Sequence, residues 1–599
     1  MRGIDAWLLG GLAVLLLLWF LWPFLARGHG VPVGPDIPVY LWWTRLAGAE
    51  GLSAVGHRPG VTGVALVLAG SLGRSVVETL AALEVVLGTS AGLAAAALLR
   101  GRTGRGGWLL AGALTGTFAT HLATGYLANL TLAVLLLAAA RALVETRGRG
   151  SAAAAGLLAA GGLAHPLFLL LGGAILGLSA LLALRYDEDP TARDEARRIG
   201  AAVAGGTVIA GLGLGALLVG PDPLAVDTSR DGFLRRAGLG DVLRGAYLER
   251  LVHRWARYVQ WASVPLAVLG LPATRGFLRR FLGSWAIVLV VGAALALATG
   301  WAPADRFITF GFVVPILAAL GLVWLWHALE PHRPLALAAT GALTLAMLAG
   351  AFFAWNRQEP FLSDLEAERL ATANRVVAAT EPGTAVVVWV NEDEGPGTFL
   401  ATRAGNLVRA SVPPGRIRDV VVFVPEIEGS VGEERGALSR VSRRDVALAV
   451  RRAEGRRVDL LLAPFDRIDL EVAQRERRWT KVGTGVFVLP AVAAAPEPED
   501  PLETSNPAAI ALAALLSFAL VGAIGYGWSR ATLADALDAA ALAPAFGVAA
   551  AILGAVVLDL LGGSLGGTGG PVAVSAPAGG GGYLLRYVLE RRARARSAP

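Results

Sequence analysis

Long apolar runs recur along almost the whole chain, and they restrict its fold more than any other feature. Each run is about 20 residues, the length at which an α-helix crosses the hydrocarbon core of a bilayer. Hydrophobic residues make up 55% of the 599 residues, and charged residues only 17%. This leaves too little polar surface to cover one water-soluble core, so the sequence predicts an α-helical polytopic membrane protein.

Hydropathy and length predict about 13 to 14 spans. The first run, residues 7–26, ends in Trp22-Pro23-Phe24 without a small-residue cleavage pattern, which indicates a retained span rather than a signal peptide. A run at 61–69 is too short to cross and is predicted to lie at the membrane surface. The other predicted spans are residues 75–99, 107–122, 124–144, 152–164, 165–184, 199–220, 259–274, 281–300, 307–329, 334–354, 507–528, 540–562 and a weak glycine-rich candidate at 567–588.

Arginines cluster in the short segments between alternate spans, as at Arg100, Arg102 and Arg105 and again in the C-terminal tail. The positive-inside rule places these segments in the cytoplasm and predicts a protein of the cytoplasmic membrane. Membrane orientation also explains the net charge of +7, so no nucleic-acid partner is expected. The segment around residue 36 and the segment from about 355 to 505 are then expected outside the cytoplasm.

The segment at 356–505 differs in texture from the rest of the chain. A helix-like run at 362–380 is followed by β-branched runs at 384–390, 419–424, 458–462 and 485–489, separated by polar turns. This pattern predicts a small extracytoplasmic α/β domain inserted between a transmembrane domain and C-terminal transmembrane helices. The predicted domains are residues 1–355, 356–505 and 506–599.

Asp36 is the first candidate for chemistry. It follows the first span between Pro35 and Ile37, and the nearby prolines Pro32, Pro35 and Pro38 restrict the backbone on both sides of it. A carboxylate held in this way can act as a general base toward a hydroxyl, or hold a divalent cation against a phosphate. The alternative is a solvated side chain that caps the helix beginning near Pro38.

Aromatic side chains follow Asp36 directly. Tyr40, Trp42 and Trp43 suit the floor of a sugar site or the anchor of an interfacial helix, and Arg45 adds a cation to the same stretch. Both interpretations of the aromatic cluster stay open on the sequence alone.

Further candidates lie where helices are predicted to meet or emerge. His121 and His165 stand at such junctions and suit substrate binding, proton transfer or hydrogen bonding between helices. Arg306 and Arg254 lie in loops next to predicted spans, where a guanidinium group can bind a phosphate. The alternatives are an ion pair with Asp305 for Arg306 and anchoring at the membrane surface for Arg254. Glu84 is an acid inside an apolar run, and Arg74 is predicted to pair with Glu78.

The chain contains no cysteine, which excludes disulfides and thiolate chemistry. No group of acidic or histidine residues has the spacing of a metal site, so the sequence predicts no definite cofactor. A divalent cation at Asp36 stays open. The sequence contains neither a phosphate-binding loop nor a Ser-His-Asp pattern.

Several of these pieces together resemble the C-type (GT-C) polytopic membrane glycosyltransferase superfamily. They are the stretch from His29-Gly30 through Asp36-Ile37-Pro38-Val39-Tyr40-Leu41-Trp42, the run His57-Arg58-Pro59-Gly60, the junction Ala164-His165-Pro166 and the turn Asp305-Arg306-Phe307. Within the superfamily they are most similar to bacterial membrane proteins related to 6-pyruvoyl-tetrahydropterin synthase. The resemblance covers about residues 1–355 and implies a GT-C-like membrane core.

The resemblance implies a glycosyltransferase that moves a sugar from a polyprenyl-phosphate donor to an extracytoplasmic envelope acceptor, which is a glycan, a lipid or a protein. In the superfamily an acidic residue of the first outer loop lies at the active site, and by position that residue is Asp36 here. The resemblance also implies that Arg306 or Arg254 holds the lipid phosphate. Family members with paired acids in this loop differ from this chain, which argues against a metal site. The other interpretations are a transporter or flippase of lipid-linked saccharide and a non-catalytic envelope assembly protein.

Overall fold

The computed structural model describes residues 2–34, 36–56, 58–145, 149–186, 190–218, 262–299, 307, 309–361, 385–390, 409–411, 417–423, 460–462, 480–483, 486–488 and 504–597. The described part is mostly helical. Its helices are α1 (Arg2–Leu25), α2 (Ile37–Glu50), α3 (Pro59–Leu72), α4 (Val76–Leu99), α5 (Arg105–Phe118), α6 (Thr120–Ala123), α7 (Leu127–Val144), α8 (Arg149–Ala164), α9 (Pro166–Tyr186), α10 (Pro190–Leu218), α11 (Ser263–Gly270), α12 (Gly276–Thr299), α13 (Val313–Ala328), α14 (Arg333–Asn356), α15 (Pro507–Thr532), α16 (Ala536–Leu560) and α17 (Gly569–Ser597).

Nine helical segments of the described residues are long and apolar enough to cross a membrane, and they belong to α1, α4, α7, α9, α10, α12, α14, α15 and α16. The protein is therefore a multi-pass membrane protein, as predicted. This count covers the described residues only, so the predicted total of about 13 to 14 spans stays a prediction. Several predicted runs form shorter helices, because turns interrupt them: α5 has 14 residues, α8 has 16 and α11 has 8.

The helices run between two ends of a bundle. One end, here called the loop end, contains residues 26–34, 51–56, 119–126, 165 and 504–506. Its segments are tied together by hydrogen bonds such as Ser505 N to the Gly30 carbonyl (2.8 Å) and Ser505 Oγ to Glu78 Oε1 (2.6 Å). This end holds the described part of the predicted site.

The opposite end, here called the arginine end, contains Arg100, Arg105, Arg141, Arg149 and the first turn of α16. Arg105 Nε lies 2.6 Å from Asp5 Oδ1, which joins the start of α5 to the start of α1. The basic C-terminal part of α17 ends here too, since Trp528 near the end of α15 donates to the Ala578 carbonyl (2.7 Å). The weak glycine-rich candidate span is thus a helix that runs alongside α15 between the two ends.

A buried ionic cluster holds the arginine end together. Arg100 Nε lies 2.6 Å from Asp538 Oδ1, and Arg141 Nη2 lies 2.5 Å from Asp538 Oδ2. Arg100 also pairs with Asp535, whose carboxylate accepts from the Leu537 and Asp538 amides and caps α16. One carboxylate therefore joins α4, α7 and α16.

Helix α3 stays at the loop end. A Cβ on Gly60 at its start would lie 2.7 Å from the Ala164 amide nitrogen at the end of α8, and Gly63 packs on Ala555 near the end of α16. Gly70 meets Pro571 at the start of α17. The helix therefore crosses the ends of three others, and the prediction that 61–69 does not span is consistent with its position.

Five strands come from the segment at 356–505: β1 (Ala385–Val390), β2 (Ile417–Phe423), β3 (Leu460–Leu462), β4 (Thr480–Gly483) and β5 (Val486–Val488). They form one mixed sheet of order β2-β1-β3-β5-β4. β1 pairs in parallel with β2 and β3, and β5 pairs antiparallel with β3 and β4. The predicted helix at 362–380 lies outside the described residues, so the α/β domain and the three domain boundaries stay predictions.

Candidate functional site

The segment that leads to Asp36 lies directly on the turn between α6 and α7. Gly34 has φ +110°, and a Cβ there would collide with the Thr124 carbonyl oxygen. Gly125 has φ +119°, and a Cβ there would lie 2.8 Å from the Asp36 amide nitrogen. Both glycines therefore meet steric and conformational demands that other residues cannot meet. Their backbone contact brings Asp36 to the helix that carries His121.

Asp36 immediately precedes α2 and is partly exposed. Its backbone is in the right-handed helical region (φ −92°, ψ −3°), and its side chain makes no capping hydrogen bond to α2. The first turn of α2 contains Pro38, which lacks one of the amide donors that a cap would satisfy. Asp36 therefore stands at the N-cap position of α2 without a side-chain hydrogen bond that caps the helix.

His121 is buried in the short helix α6, outside the candidate spans. Its Nδ1 is within hydrogen-bonding distance of the Phe118 carbonyl, and its ring packs 4.3 Å from the Phe118 ring and 6.4 Å from the Phe312 ring. Burial lowers the pKa of His121 to about 4. The imidazole is thus neutral at neutral pH, and any role in substrate binding is that of a neutral hydrogen-bonding group.

Two of the aromatic side chains of α2 fix the helix to the bundle. Tyr40 is buried, and its hydroxyl accepts a hydrogen bond from the Ala128 amide at the start of α7 (3.1 Å). Trp43 is also buried and packs edge-on against Tyr40, with ring centroids 5.9 Å apart. These contacts hold α2 against α7, and they do not test whether either ring anchors a helix at the membrane interface. Their predicted contact with substrate stays a prediction.

The other face of α2 carries a piece of the segment at 356–505. The Arg409 guanidinium lies 4.9 Å from the centre of the Trp42 ring, and Arg45 Nη1 donates to the Ala410 carbonyl. Ala410 and Ser411 are buried. Trp42 and Arg45 therefore contact protein in this structure, and they join residues 409 and 410 to the helix that follows Asp36.

The contact between Trp42 and Arg409 predicts a measurable coupling. A cation over a desolvated indole ring stabilises by about 2 kcal/mol. Trp42→Leu and Arg409→Met, combined in a double-mutant cycle on the free energy of unfolding in detergent, are expected to show coupling of about 1–2 kcal/mol.

The matched control is the cycle of Trp42→Leu with Arg198→Met. Arg198 bonds the carbonyls of Leu143 and Glu145 at the arginine end. That pair is expected to be additive within about 0.5 kcal/mol. Equal coupling in both cycles would contradict a direct contact between Trp42 and Arg409.

His165 is buried between α8 and α9, where its amide donates to the Gly161 carbonyl (2.9 Å). The close approach of Gly60 to Ala164 places the start of α3, with Arg58 just before it, at the same junction. Two pieces of the family resemblance, around Arg58 and around His165, therefore meet at the loop end. Arg58 is a cation near this junction for which the sequence predicted no role.

The two arginines predicted to hold a phosphate, Arg306 and Arg254, lie outside the described residues. Phe307, the residue after Arg306, is buried and packs on Gly292 of α12. Among the described residues there is no group of three or more His, Asp or Glu side chains arranged for a metal ion. The phosphate site and the divalent cation at Asp36 are therefore untested.

Two acids of α4, Glu78 and Glu84, lie near the site, and the sequence analysis predicted a partner for Glu78 only. The predicted pairing of Arg74 with Glu78 is confirmed, with Nη1 and Oε2 3.8 Å apart. Glu84, less than about two turns further along the same helix, instead binds the backbone of the Asp36 segment. An acid inside an apolar run was the only sequence signal for this role.

No family model matches the chain, and no curated protein matches it. Similarity appears among solved structures. The structure of ArnT from Cupriavidus metallidurans in the apo state aligns with a TM-score of 0.50 at 14% identity, covering 83% of this chain and 100% of that one. The Archaeoglobus fulgidus oligosaccharyltransferase AglB, in complex with an inhibitory peptide and a dolichol-phosphate, aligns with a TM-score of 0.45 at 12% identity, covering 78% and 70%.

The likeness to ArnT is one of fold. It extends over the whole of that chain and supports the predicted polytopic helical membrane core. At 14% identity it does not transfer a function, and the narrower resemblance to proteins related to 6-pyruvoyl-tetrahydropterin synthase is not confirmed.

Proposed function

We propose that this protein is a GT-C-type membrane glycosyltransferase that moves a hexosyl or pentosyl unit from a polyprenyl-phosphate donor to an extracytoplasmic envelope acceptor. The observation that carries the proposal is the placement of Asp36. Asp36 is partly exposed at the loop end, makes no side-chain bond that caps α2, and its backbone and Cβ lie against the turn that follows His121. A general base needs this combination of access and fixed position.

In the proposed reaction, an acceptor hydroxyl oxygen attacks the anomeric carbon of the donor. The bond from that carbon to the phosphate oxygen breaks, polyprenyl phosphate leaves, and the hydroxyl proton passes to the Asp36 carboxylate. The leaving phosphate needs a cation, for which Arg306 is our first choice and Arg254 our second. Arg58 is a described cation at the same end, near His165.

The other residues have supporting roles in this proposal. His121 and His165 offer hydrogen bonds to donor or acceptor near the turns where they lie. Tyr40 and Trp43 hold α2, and thereby Asp36, against α7. Trp42 and Arg45 join the site to the domain proposed at 356–505, which then contributes to acceptor binding.

The proposed orientation puts the loop end outside the cytoplasm. Arginines are concentrated at the other end, and the positive-inside rule assigns that end to the cytoplasm. A donor with a lipid tail reaches the site from the bilayer and needs no nucleotide-binding motif. The partners are therefore membrane lipid, a polyprenyl-phosphate sugar and a glycan, lipid or protein acceptor.

The direct test uses the full chain purified and reconstituted in liposomes. Polyprenyl-phosphate hexose and pentose donors, labelled in the sugar, are supplied with envelope glycan, lipid and peptide acceptors. We expect label to appear in one acceptor class together with free polyprenyl phosphate, and no transfer from nucleotide sugars. Label that crosses the bilayer on an intact donor would identify a flippase and contradict the proposal.

A further inference from the structure

Glu84 is a fully buried acid on α4, roughly two turns from the start of the helix at Val76. Within the described part of the chain, no arginine, lysine or histidine nitrogen lies within 4.0 Å of its carboxyl group. Burying an acid without a cation is costly, and such a residue inside a membrane bundle is retained for a reason.

The contact that Glu84 makes is with the segment leading to Asp36. The Val33 amide donates to Glu84 Oε1 at 3.1 Å and to Oε2 at 3.4 Å. Val33 is fully buried and lies three residues before Asp36. The carboxyl group therefore holds the backbone just ahead of the proposed base.

The pairing of this segment explains why an acceptor is needed there. Val33 forms an antiparallel bridge with Pro360. The hydrogen bonds of the bridge come from its neighbours: the Gly34 amide donates to the Glu359 carbonyl (3.2 Å), and the Phe361 amide donates to the Pro32 carbonyl (3.3 Å). In such a non-hydrogen-bonded pair, the Val33 amide points away from its partner strand. Glu84 supplies the acceptor that the strand pairing cannot.

The two sets of contacts act on opposite edges of the segment. The residues at 359–361 hold one edge and Glu84 holds the other, while Gly34 rests on Thr124. We infer that Glu84 is a positioning residue that sets the place of the Asp36 carboxylate through the Val33 amide. The inference rests on the proposed function for its catalytic part, and its conformational part is tested separately.

The conformational test uses the absence of cysteine from the chain. A single Asp36→Cys reporter is labelled with a water-soluble maleimide in the full-length protein. Adding Glu84→Met, which keeps the length of the side chain but removes the acceptor, is expected to raise the labelling rate about tenfold. Adding Glu84→Gln, which keeps an acceptor oxygen, is expected to leave the rate within about fivefold of the reporter alone.

Two controls separate local release from general unfolding. Thr89→Val changes another fully buried polar side chain of α4 and should leave labelling of the reporter unchanged. A second reporter, Arg333→Cys, at the exposed start of α14, should label equally with and without Glu84→Met. If Glu84→Met raises labelling at both reporters, that variant is partly unfolded, and Glu84→Ala is then tested with the same two reporters. Labelling at Asp36→Cys that is unchanged in a folded Glu84 variant overturns the inference.

The catalytic test measures transfer with Asp36 in place. Glu84→Met is expected to lower kcat about 100-fold with a smaller change in KM, since a shift of about 1 Å in a reacting group has an effect of this size. Glu84→Gln should restore most of the rate, whereas a purely packing role would not distinguish the two. If Glu84→Met raises labelling of the Asp36→Cys reporter but leaves kcat undiminished when Asp36 is present, the positioning role is overturned. If the wild-type protein transfers no sugar, the proposed function fails while the labelling result still stands.

Discussion

Asp36→Asn is expected to lower kcat for sugar transfer by about 100-fold to 10,000-fold, the range for loss of a general base. The amide has the size and shape of the carboxyl group but cannot accept the hydroxyl proton. KM for the donor should change little, because in the proposed reaction other residues bind the phosphate and the lipid. The measurement is steady-state transfer from a polyprenyl-phosphate sugar in liposomes, with equal amounts of monodisperse protein.

Two variants control for changes of charge and shape. Glu50→Gln makes the same chemical change at the exposed far end of α2 and should keep wild-type turnover. Asp36→Glu keeps the base but moves it by one methylene, and it should retain an intermediate rate. Turnover by Asp36→Asn equal to that of Glu50→Gln would remove Asp36 as the base.

Asp538→Asn is expected to cost about 3–5 kcal/mol of unfolding free energy, because it leaves two guanidinium groups without their shared buried anion. Asp538 is 2% exposed and contacts both Arg100 and Arg141. The loss should appear as a lower midpoint in thermal or detergent-induced unfolding of the full chain. Because the cluster lies at the arginine end, kcat of the folded fraction should remain near wild type.

The matched control is Asp194→Asn. Asp194 pairs with Arg197 at 3.5 Å on the surface, where the side chains are 73% and 81% exposed. An exposed pair contributes about 0–1 kcal/mol, so this variant should unfold close to wild type. Equal destabilisation by the two substitutions would contradict the role of Asp538 as the anion that joins α4, α7 and α16.

The membrane character and many helix positions could be predicted from the sequence. The predicted span at 75–99 corresponds to Val76–Leu99, and that at 507–528 to Pro507–Thr532. Hydropathy does not show where a turn ends a helix early, as at the end of α5 and around His165. Four predicted strands have counterparts, whereas Thr480–Gly483, which contains Lys481 and Gly483, gave no clear strand signal.

The site was predictable only in part. Asp36 stood out because prolines surround it, but its lack of a helix-capping bond depends on backbone geometry at the start of α2. The neutral state of His121 follows from its burial, which could not be predicted from the sequence. Trp42 was predictable as an aromatic surface, whereas its contact with Arg409 joins residues far apart in the chain.

The sequence alone determined that this chain enters a membrane, because the length and hydropathy of its apolar runs are local properties. It also placed a carboxylate between prolines beyond the first helix. Only the tertiary structure decided what surrounds that carboxylate. Gly34 and Gly125 allow two turns to touch, and Val33 takes its hydrogen-bond acceptor from Glu84, 51 residues along the chain. Such contacts depend on how helices pack against each other, which no local pattern specifies.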